Sequence, residues 1–284
     1  MELPAIRRVE TQVAGPRGQS LFRRAWLPPA AERALLVVHG FGEHSGRYEH
    51  LGAWFATRSS AVHAYDHIGH GKSSGARCHV RRFDDYLDDL ASMVALVRGE
   101  HPDLPVFLVG HSMGGLIVAA FLRERDPAVA GAVLSGAALA LPEGTSRVRL
   151  AVARVLRLVA PRVNLASPVD PAGLCTDPEV VEAYLKDPLV HHDRMTASLA
   201  AELLSAIRRT EGRAADVRVP VLVLHGAEDS MCRVEGSEAF ARDLREGRFE
   251  AYPGMRHEIF NEPGHEAIFE GALEWIRLRN GTGA

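Results

Sequence analysis

The chemistry of this 284-residue chain starts from Ser112, which lies in a Gly-x-Ser-x-Gly motif with Gly110 and Gly114. An apolar run at 106–109 precedes the motif and an apolar-periodic segment at 116–122 follows it, which predicts a strand, a sharp turn and a helix. Glycines are needed two residues before and after the serine, because side chains there would clash with the neighbouring strand and helix. Ser112 is therefore the candidate nucleophile.

A serine hydroxyl is a poor nucleophile at neutral pH, so a base must take its proton and an acid must orient that base. After a nucleophile on a strand-turn-helix, the expected chain order is serine, acid, histidine. Asp229 follows the apolar run 221–224, with adjacent Glu228 as the alternative acid, and His257 follows a last predicted strand at 249–252. Because both come after strand ends, we predict a triad of Ser112, Asp229 and His257.

Two backbone N–H groups are expected to stabilise the negative charge that develops on the substrate carbonyl oxygen. One belongs to Met113, directly after the nucleophile, and the other to Phe41, which lies between two glycines in the segment 39–42. The alternative is that these glycines only turn the chain away from the sheet. We predict that Phe41 and Met113 form an oxyanion hole.

The elements that must position these residues alternate along the chain. Apolar runs at 34–38, 62–65, 106–109, 130–134 and 219–224 predict buried strands, and helices are predicted between several of them, at 47–58, 83–99 and 113–123. Such alternation is typical of a mostly parallel α/β sheet. Before it, 9–13 and 20–27 predict an antiparallel hairpin, because Gly and Pro residues lie between them.

The alternation stops after residue 141, and about 70 residues with helical patterns follow before the sheet pattern resumes. The predicted organisation is a core formed by 1–141 and 211–284, with a helical cap at 142–210 inserted in it. A long insertion of this kind usually forms a lid or a substrate pocket, and the alternative is a peripheral helical subdomain.

Composition argues against several classes of function. The 33 Lys and Arg residues against 36 Asp and Glu residues leave a net charge of -3, which does not favour a nucleic-acid partner. The chain start lacks the apolar core of a secretory signal, and no apolar run approaches the roughly 20 residues that cross a bilayer. Three separated cysteines fit a reducing compartment, and His63, His67 and His70 form no metal-ligand signature. We expect a cytoplasmic enzyme without metal or organic cofactor.

Four motifs together resemble the monoacylglycerol lipase family, its bacterial members especially, within the α/β-hydrolase fold. The resemblance extends over 21–279, and its motifs are HGFGEHSGRY at 39–48, YDHIGHGKSSG at 65–75, GHSMGG at 110–115 and YPGMRHE at 252–258. The segment 187–190 is also similar to the cap of that family. The resemblance implies hydrolysis of monoacylglycerols to glycerol and fatty acid through an acyl-enzyme, with Ser112, Asp229 and His257 as the triad. Phe41 is a departure, because many relatives have a smaller or aliphatic residue there.

Other functions share these motifs. A lysophospholipase differs only in its head-group preference, and a general carboxylesterase has the same triad. A non-catalytic ligand-binding homologue would normally have lost part of the triad. Cys232, three residues after Asp229, matches a cysteine in some relatives and would make the site sensitive to thiol reagents, unless it is an inert packed residue. Acyl-chain length, positional preference and oligomeric state stay open.

A monoacylglycerol has a long apolar chain and a diol head, so its site should join an apolar tunnel to a few polar groups. The predicted helix 147–162 has an apolar face that we expect to line the tunnel or pack on the core, with Val148, Val152 and Val155 as the candidate substrate contacts. The opposite arc, with Arg154 and Arg157, either contacts an anionic lipid surface or is an ordinary solvated face. Candidates for the head group are the following three residues: Glu43, Arg47 and Tyr48. Glu43 and Arg47 would meet the glycerol hydroxyls or pair with each other.

Overall fold

The computed structural model describes residues 5–142, 144–166, 169–192 and 194–280, so the ends of the predicted core lie outside it. Ten strands are found in this described part: β1 Arg7–Ala14, β2 Ser20–Leu27, β3 Arg33–Val38, β4 Ser60–Tyr65, β5 Val106–His111, β6 Gly131–Ser135, β7 Asn164–Ala166, β8 Arg194–Thr196, β9 Val221–Gly226 and β10 Gly247–Tyr252. The same residues form eight α-helices: α1 Glu49–Ala56, α2 Asp84–Glu100, α3 Met113–Arg125, α4 Arg147–Val159, α5 Pro178–Lys186, α6 Ala197–Thr210, α7 Val234–Asp243 and α8 His265–Arg277.

Eight of the described strands form one sheet in the order β1-β2-β4-β3-β5-β6-β9-β10. Strands β3 to β6, β9 and β10 are parallel, whereas β1 pairs antiparallel with β2, and β2 antiparallel with β4. Every residue of β3, β5, β6 and β9 is buried, as expected for apolar runs covered on both faces. The predicted fold class, a mostly parallel sheet with antiparallel N-terminal strands, is confirmed.

Two apolar layers cover the sheet. Leu36 of β3 belongs to the layer that contains α2 and α3, whereas its neighbours Leu35 and Val37 belong to the layer that contains α1 and α8. This alternation follows from the two-residue period of a strand. Both faces of the sheet are therefore covered, and the candidate catalytic residues lie at the C-terminal ends of the strands.

The chain between β6 and β9 forms α4, α5, α6 and a short antiparallel pair, β7 with β8. Helix α6 packs against α3 of the core, and α4 packs against α6 on its outer side. The first turn of α6 is capped by the Thr196 hydroxyl, which accepts a hydrogen bond from Leu199 N–H at 3.2 Å. None of the described helices is both long and apolar enough to cross a membrane.

Candidate active site

The nucleophile turn joins β5 to α3 as the glycine spacing predicts. Ser112 has φ 53° and ψ -117°, a conformation that side chains rarely adopt and that the surrounding packing must enforce. A Cβ atom at position 114 would lie 2.0 Å from the carbonyl oxygen of Val38, and one at position 110 would lie 2.8 Å from the carbonyl oxygen of Gly114. Only glycines therefore allow the strand and the helix to approach so closely on either side of Ser112.

The structure brings the predicted acid and base together. Asp229 follows β9, His257 follows β10, and His257 Nδ1 lies 2.7 Å from Asp229 Oδ2. The alternative acid, Glu228, is exposed and belongs to a surface cavity on the other side of this loop. Of the two adjacent carboxylates, only Asp229 faces the histidine, and Ser112 and His257 line the same two cavities.

A second histidine orients the acid. His225 Nε2 lies 3.0 Å from Asp229 Oδ2, and the other carboxylate oxygen, Oδ1, accepts hydrogen bonds from the backbone N–H groups of Met231 and Cys232 at 2.8 and 2.9 Å. Sequence reasoning gave no role to His225, although it lies four residues before the acid. The Asp229 side chain is wholly buried and both of its carboxylate oxygens have hydrogen-bond partners. These contacts fix its orientation.

These contacts shift the pKa values of the pair in opposite directions. Burial would raise the pKa of Asp229, but His257, His225 and the backbone donors outweigh it and hold this pKa far below its usual range. Burial would likewise lower the pKa of His257, but the Asp229 carboxylate raises it above 6.5, with smaller contributions from Glu258 and Glu43. The histidine is thus a stronger base than free imidazole, and its partner stays ionised.

The two residues predicted to supply the oxyanion donors, Phe41 and Met113, line the same cavity as Ser112. Met113 is the first residue of α3, so its N–H has no partner within the helix. For the N–H of Phe41, no protein acceptor is found among the residues that the structure describes. The loop after β3 also contacts the inserted segment, because the carbonyl oxygen of Gly42 accepts a hydrogen bond from His191 N–H at 2.7 Å. His44 Nε2 lies 2.8 Å from Asp187, which adds a second contact between this loop and the chain after α5.

One side of Ser112 opens into a small charged cavity of about 30 Å³. Arg47 lies between two buried carboxylates, 3.1 Å from Glu43 and 2.5 and 2.8 Å from the two oxygens of Glu258. Glu43 also accepts hydrogen bonds from the Tyr48 hydroxyl and from Gly40 N–H, at 2.7 and 2.5 Å. The sequence left open whether Glu43 and Arg47 meet the glycerol hydroxyls or pair with each other, and the structure shows that they pair.

The other members of this charged cavity were not all predicted. Tyr48 does not line it, because its hydroxyl is bonded to Glu43 behind the cavity wall, so its prediction as a substrate contact is wrong. Glu258, which sequence reasoning missed, lies next to His257 in the chain and so had a positional signal. Burial would raise the pKa of Glu258, but Arg47 lowers it to about 2. Burial raises the pKa of Glu43 even though Arg47 opposes the shift.

The other side of Ser112 opens into an apolar cavity of about 230 Å³. From the inserted segment, α6 contributes four apolar side chains spaced as i, i+3, i+4 and i+7, and Pro142, Val169 and Met195 add to this wall. The four residues of α6 are Ala200, Leu203, Leu204 and Ile207. The core contributes Met113 and Leu116 of α3, and Phe41 and Val169 line both this cavity and the charged one. The missed residues of α6 have the same helical spacing that suggested the valines of α4.

The prediction that Val148, Val152 and Val155 line an acyl tunnel is wrong. These side chains are 71%, 50% and 56% exposed, respectively, on the outer side of α4. Helix α4 turns its other side inward, where Leu150 is buried and Arg157 forms an ion pair with Glu202 of α6 at 2.8 Å. Because α6 already covers the cavity, α4 packs on α6 instead of on the substrate site.

The outer side of α4 is therefore apolar and accessible. Val148, Val152, Val155 and Val159 form a stripe at helical spacing, and Leu158 beside it is 77% exposed. Arg154 is exposed, Arg157 is bound to Glu202, and the side chain of Arg147 lies outside the described part of the structure. The apolar face is thus exposed instead of facing the cavity, and Arg157 turns toward α6, whereas Arg154 is exposed.

Cys232 lines the apolar cavity beside Ser112 and His257. Burial and the nearby Asp229 carboxylate raise the pKa of its thiol far above the usual range, against a smaller opposing effect of the Ser112 hydroxyl. Cys232 is therefore a thiol, not a thiolate, at neutral pH, which favours the inert alternative.

Comparisons with known proteins agree with this geometry. Residues 29–264 match the family described as serine aminopeptidase, S33. The chain is 36% identical to a monoacylglycerol lipase of Mycolicibacterium smegmatis, over 95% of this chain and 97% of that one. It is also 30% identical to the phospholipase YtpA of Bacillus subtilis, over 87% and 96% of the two chains. The solved structure of a monoacylglycerol lipase from Paleococcus ferrophilus is 31% identical, with a TM-score of 0.78 over 95% of this chain and 98% of that one.

Proposed function

The chain belongs to the serine aminopeptidase S33 family and has the α/β-hydrolase fold, and on that premise we propose that it hydrolyses monoacylglycerols to glycerol and free fatty acid. It is a carboxylic ester hydrolase, as its relationship to the monoacylglycerol lipase of Mycolicibacterium smegmatis indicates. One observation supports this substrate above the others. Two unequal cavities, one apolar and one small and polar, meet at Ser112, as an ester with one long chain and a small head requires.

The reaction begins with proton transfer from Ser112 to His257 as the serine oxygen attacks the ester carbonyl. Asp229 holds the imidazole through Nδ1 and stabilises the imidazolium that forms, and the N–H groups of Met113 and Phe41 stabilise the oxyanion. His257 then gives its proton to the departing glycerol oxygen, which leaves an acyl-enzyme on Ser112. A water molecule deprotonated by His257 attacks this ester and releases the fatty acid.

The charged cavity favours a diol over a phosphate head group. Its volume of about 30 Å³ holds roughly two waters, which suits two hydroxyl groups better than a bulky phosphocholine. Two carboxylates surround the single guanidinium of Arg47, so the cluster offers no excess positive charge to an anionic phosphate. The hydroxyls can still bond to carboxylate oxygens at its edge. This argues for monoacylglycerols over lysophospholipids, although one relative is named a phospholipase.

The inserted segment 142–210 acts as the cap in this proposal. Its inner helix, α6, covers the acyl chain, and its outer helix, α4, presents the exposed apolar stripe to the lipid surface in which the substrate is dissolved. A peripheral contact of this kind involves the valines of α4, and Arg157 takes no part in it because it is paired with Glu202 within the protein.

A hydrolysis assay with four substrates tests the proposal: a monoacylglycerol, a diacylglycerol, a lysophosphatidylcholine and a p-nitrophenyl ester, all with the same acyl chain. We expect the monoacylglycerol to have the highest kcat/KM, at least tenfold above the lysophospholipid. Ser112→Ala measures the background in each assay. Preference for the lysophospholipid would contradict the proposal and leave the triad in place.

A further inference from the structure

Another cavity lies between the core and the inserted segment 142–210, and it shares no lining residue with the two cavities beside Ser112. Its volume is about 550 Å³, within the range of sites that bind small molecules. Four arginines, one histidine and one carboxylate contribute to its wall: Arg17, Arg81, Arg82, Arg162, His79 and Asp85. We propose that this arginine cavity binds a phosphomonoester group.

Carboxylates already neutralise two of the four arginines. Arg17 lies 2.5 Å from Asp89 and 3.5 Å from Asp88. Asp85 lies 3.7 Å from Arg17 and 3.4 Å from Arg82. All three carboxylates belong to the first two turns of α2, so the wall next to α2 has little net charge.

Arg81 and Arg162 supply the positive charge that is left. Neither guanidinium forms an ion pair or a hydrogen bond with a residue that the structure describes. A phosphomonoester carries about -1.5 to -2 charges near pH 7, so it matches two guanidiniums. A carboxylate or a phosphodiester carries a single negative charge and would leave one of them without a counterion. Arginine also suits phosphate, because its planar group binds two phosphate oxygens at once.

His79 lies close enough to Arg162 to be affected by its charge. Burial first, and then Arg162, lower the pKa of His79 below 6.5. The Thr196 hydroxyl donates its proton to Cys78 O at 2.9 Å, so it accepts from His79 Nδ1–H at 3.2 Å and fixes the ring. The guanidinium from the inserted segment therefore acts on the same space as the core residues.

The start of α6 holds the wall that carries Arg162. Ala197 N–H donates to Val163 O at 2.9 Å, directly after this arginine. Ser198 N–H donates to Pro161 O at 3.0 Å, directly before it. The backbone on both sides of Arg162 is thus bonded to α6.

The wall that carries Arg81 is bonded to the same turn of α6. The Ser198 hydroxyl donates to Val80 O at 2.6 Å, directly before Arg81. The Arg81 carbonyl accepts from Arg157 of α4 at 3.3 Å. Because both backbones are already held, a ligand would order only the two arginine side chains, which lowers the entropic cost of binding.

Two sources can supply the phosphate group. Arg162 follows Val159, the last residue of the exposed α4 stripe, by three residues, so a lipid surface that contacts the stripe would bring head groups to the cavity. A dissolved phosphate ester would reach the same side chains from solution. The experiment therefore has one arm for each source, and neither arm depends on hydrolysis at Ser112.

Three arginine variants are used in both arms. Arg81→Gln and Arg162→Gln each remove one guanidinium and should weaken binding about tenfold, because a charge-assisted contact is lost. Arg154→Gln is the matched control, since Arg154 is an exposed arginine of the same inserted segment but does not line the cavity. Its effect should be less than about twofold at about 0.15 M salt, where distant charges are screened. Thermal unfolding of each variant shows that its fold is intact.

Isothermal titration calorimetry with methyl phosphate measures the dissolved source. At about pH 8 methyl phosphate is a dianion, and we expect it to bind the wild type with a Kd of about 1 mM or lower. Methyl sulfate, which has a similar shape and a single charge, should bind at least about fivefold more weakly.

Co-sedimentation with vesicles measures the lipid source. Phosphatidylcholine vesicles with about a tenth phosphatidic acid present a phosphomonoester, and vesicles with phosphatidylglycerol at the same total charge present a phosphodiester. We expect the wild type to bind the phosphatidic acid vesicles at least about threefold more tightly.

A loss of methyl phosphate binding in Arg81→Gln and Arg162→Gln supports a site for a dissolved ester, and a loss confined to phosphatidic acid vesicles supports a site for a lipid head group. Binding in neither arm, or binding that these two variants leave unchanged, would overturn the proposal. So would equal binding of the phosphomonoester and its singly charged counterpart, or an equal loss in Arg154→Gln, which would indicate a general attraction of anions to a basic surface.

Discussion

The two cavities beside Ser112 are built on opposite principles. In the charged cavity, Glu43, Arg47 and Glu258 are buried and bonded to one another, and their distances leave little space between them. In the apolar cavity, about 230 Å³ is bordered by side chains of α3 and α6 that make no directed bonds. A small group on one side must match fixed donors and acceptors, whereas a chain on the other side needs only volume.

This difference determines how each side should respond to change. Removing one member of a buried ion cluster leaves the other charges without partners, which costs several kcal/mol. Removing methyl groups from an apolar wall changes the cavity in graded steps of the same size as a methylene group. One substitution in the charged cavity should therefore cause a large loss of stability, whereas substitutions in the apolar cavity should change its size in small steps.

The largest expected effect is at the point where the cavities meet. Ser112→Ala removes the nucleophile for substrates held on both sides, so ester turnover should fall at least about 10⁴-fold, as in other serine hydrolases of this design. Steady-state kinetics measure the loss, and a fluorophosphonate probe should label the wild type but not the variant. Substantial residual turnover would mean that another residue is the nucleophile.

Substitution of the acid, Asp229, should have the next largest effect on activity, and it should also change the pH dependence. His257 must be neutral to accept a proton, so kcat/KM falls as the pH decreases through its pKa, which lies above 6.5 in the wild type. Asp229→Asn should lower kcat about 10⁴-fold and shift this limb to lower pH, because the attraction that raises the pKa is lost.

Glu228→Gln is the matched control for the acid, since Glu228 is the adjacent carboxylate and is exposed. Its kcat and its acidic limb should both stay close to those of the wild type. A large loss in Glu228→Gln, with little loss in Asp229→Asn, would show that the acid is misassigned.

The charged cavity gives the largest expected effect on stability. Arg47→Met leaves Glu43 and Glu258 buried without their cation and should lower the free energy of unfolding by about 3–5 kcal/mol. Arg248→Met removes an arginine whose side chain is 60% exposed, in an ion pair with Glu250, and should cost less than about 1 kcal/mol. Urea unfolding compares the two. Equal losses of unfolding free energy in the two variants would contradict the expected large cost of breaking the buried ion cluster.

The smallest expected effect concerns the outer side of the cap. The double variant Val155→Ser, Val159→Ser makes the exposed stripe of α4 polar and should weaken binding to phosphatidylcholine vesicles about three- to tenfold, because less apolar surface is buried. Hydrolysis of a dissolved short ester should be unchanged, and Leu278→Ser serves as the matched surface control. Vesicle binding equal to that of the wild type would contradict a lipid contact through this stripe.

Local sequence determined the sheet and the nucleophile turn. Apolar runs of strand length identify β3, β5, β6 and β9, and the approach of Gly114 to the Val38 carbonyl explains why the motif requires glycine. The predicted helices begin and end within a few residues of α1, α2 and α3. Steric limits and periodicity act over a few residues, so they can be recognised without knowing what lies on the other side of the chain.

Only the tertiary structure decided between equivalent local patterns. Helices α4 and α6 both have an apolar stripe, and packing against α3 selected α6 for the cavity and left the stripe of α4 outside. The ion pair between Arg47 and Glu258 joins residues 211 positions apart, and neither the motif at 39–48 nor the motif at 252–258 predicted it. Periodicity shows that a helix has an apolar face but not what covers that face, because the covering residues are brought there by the fold of the whole chain.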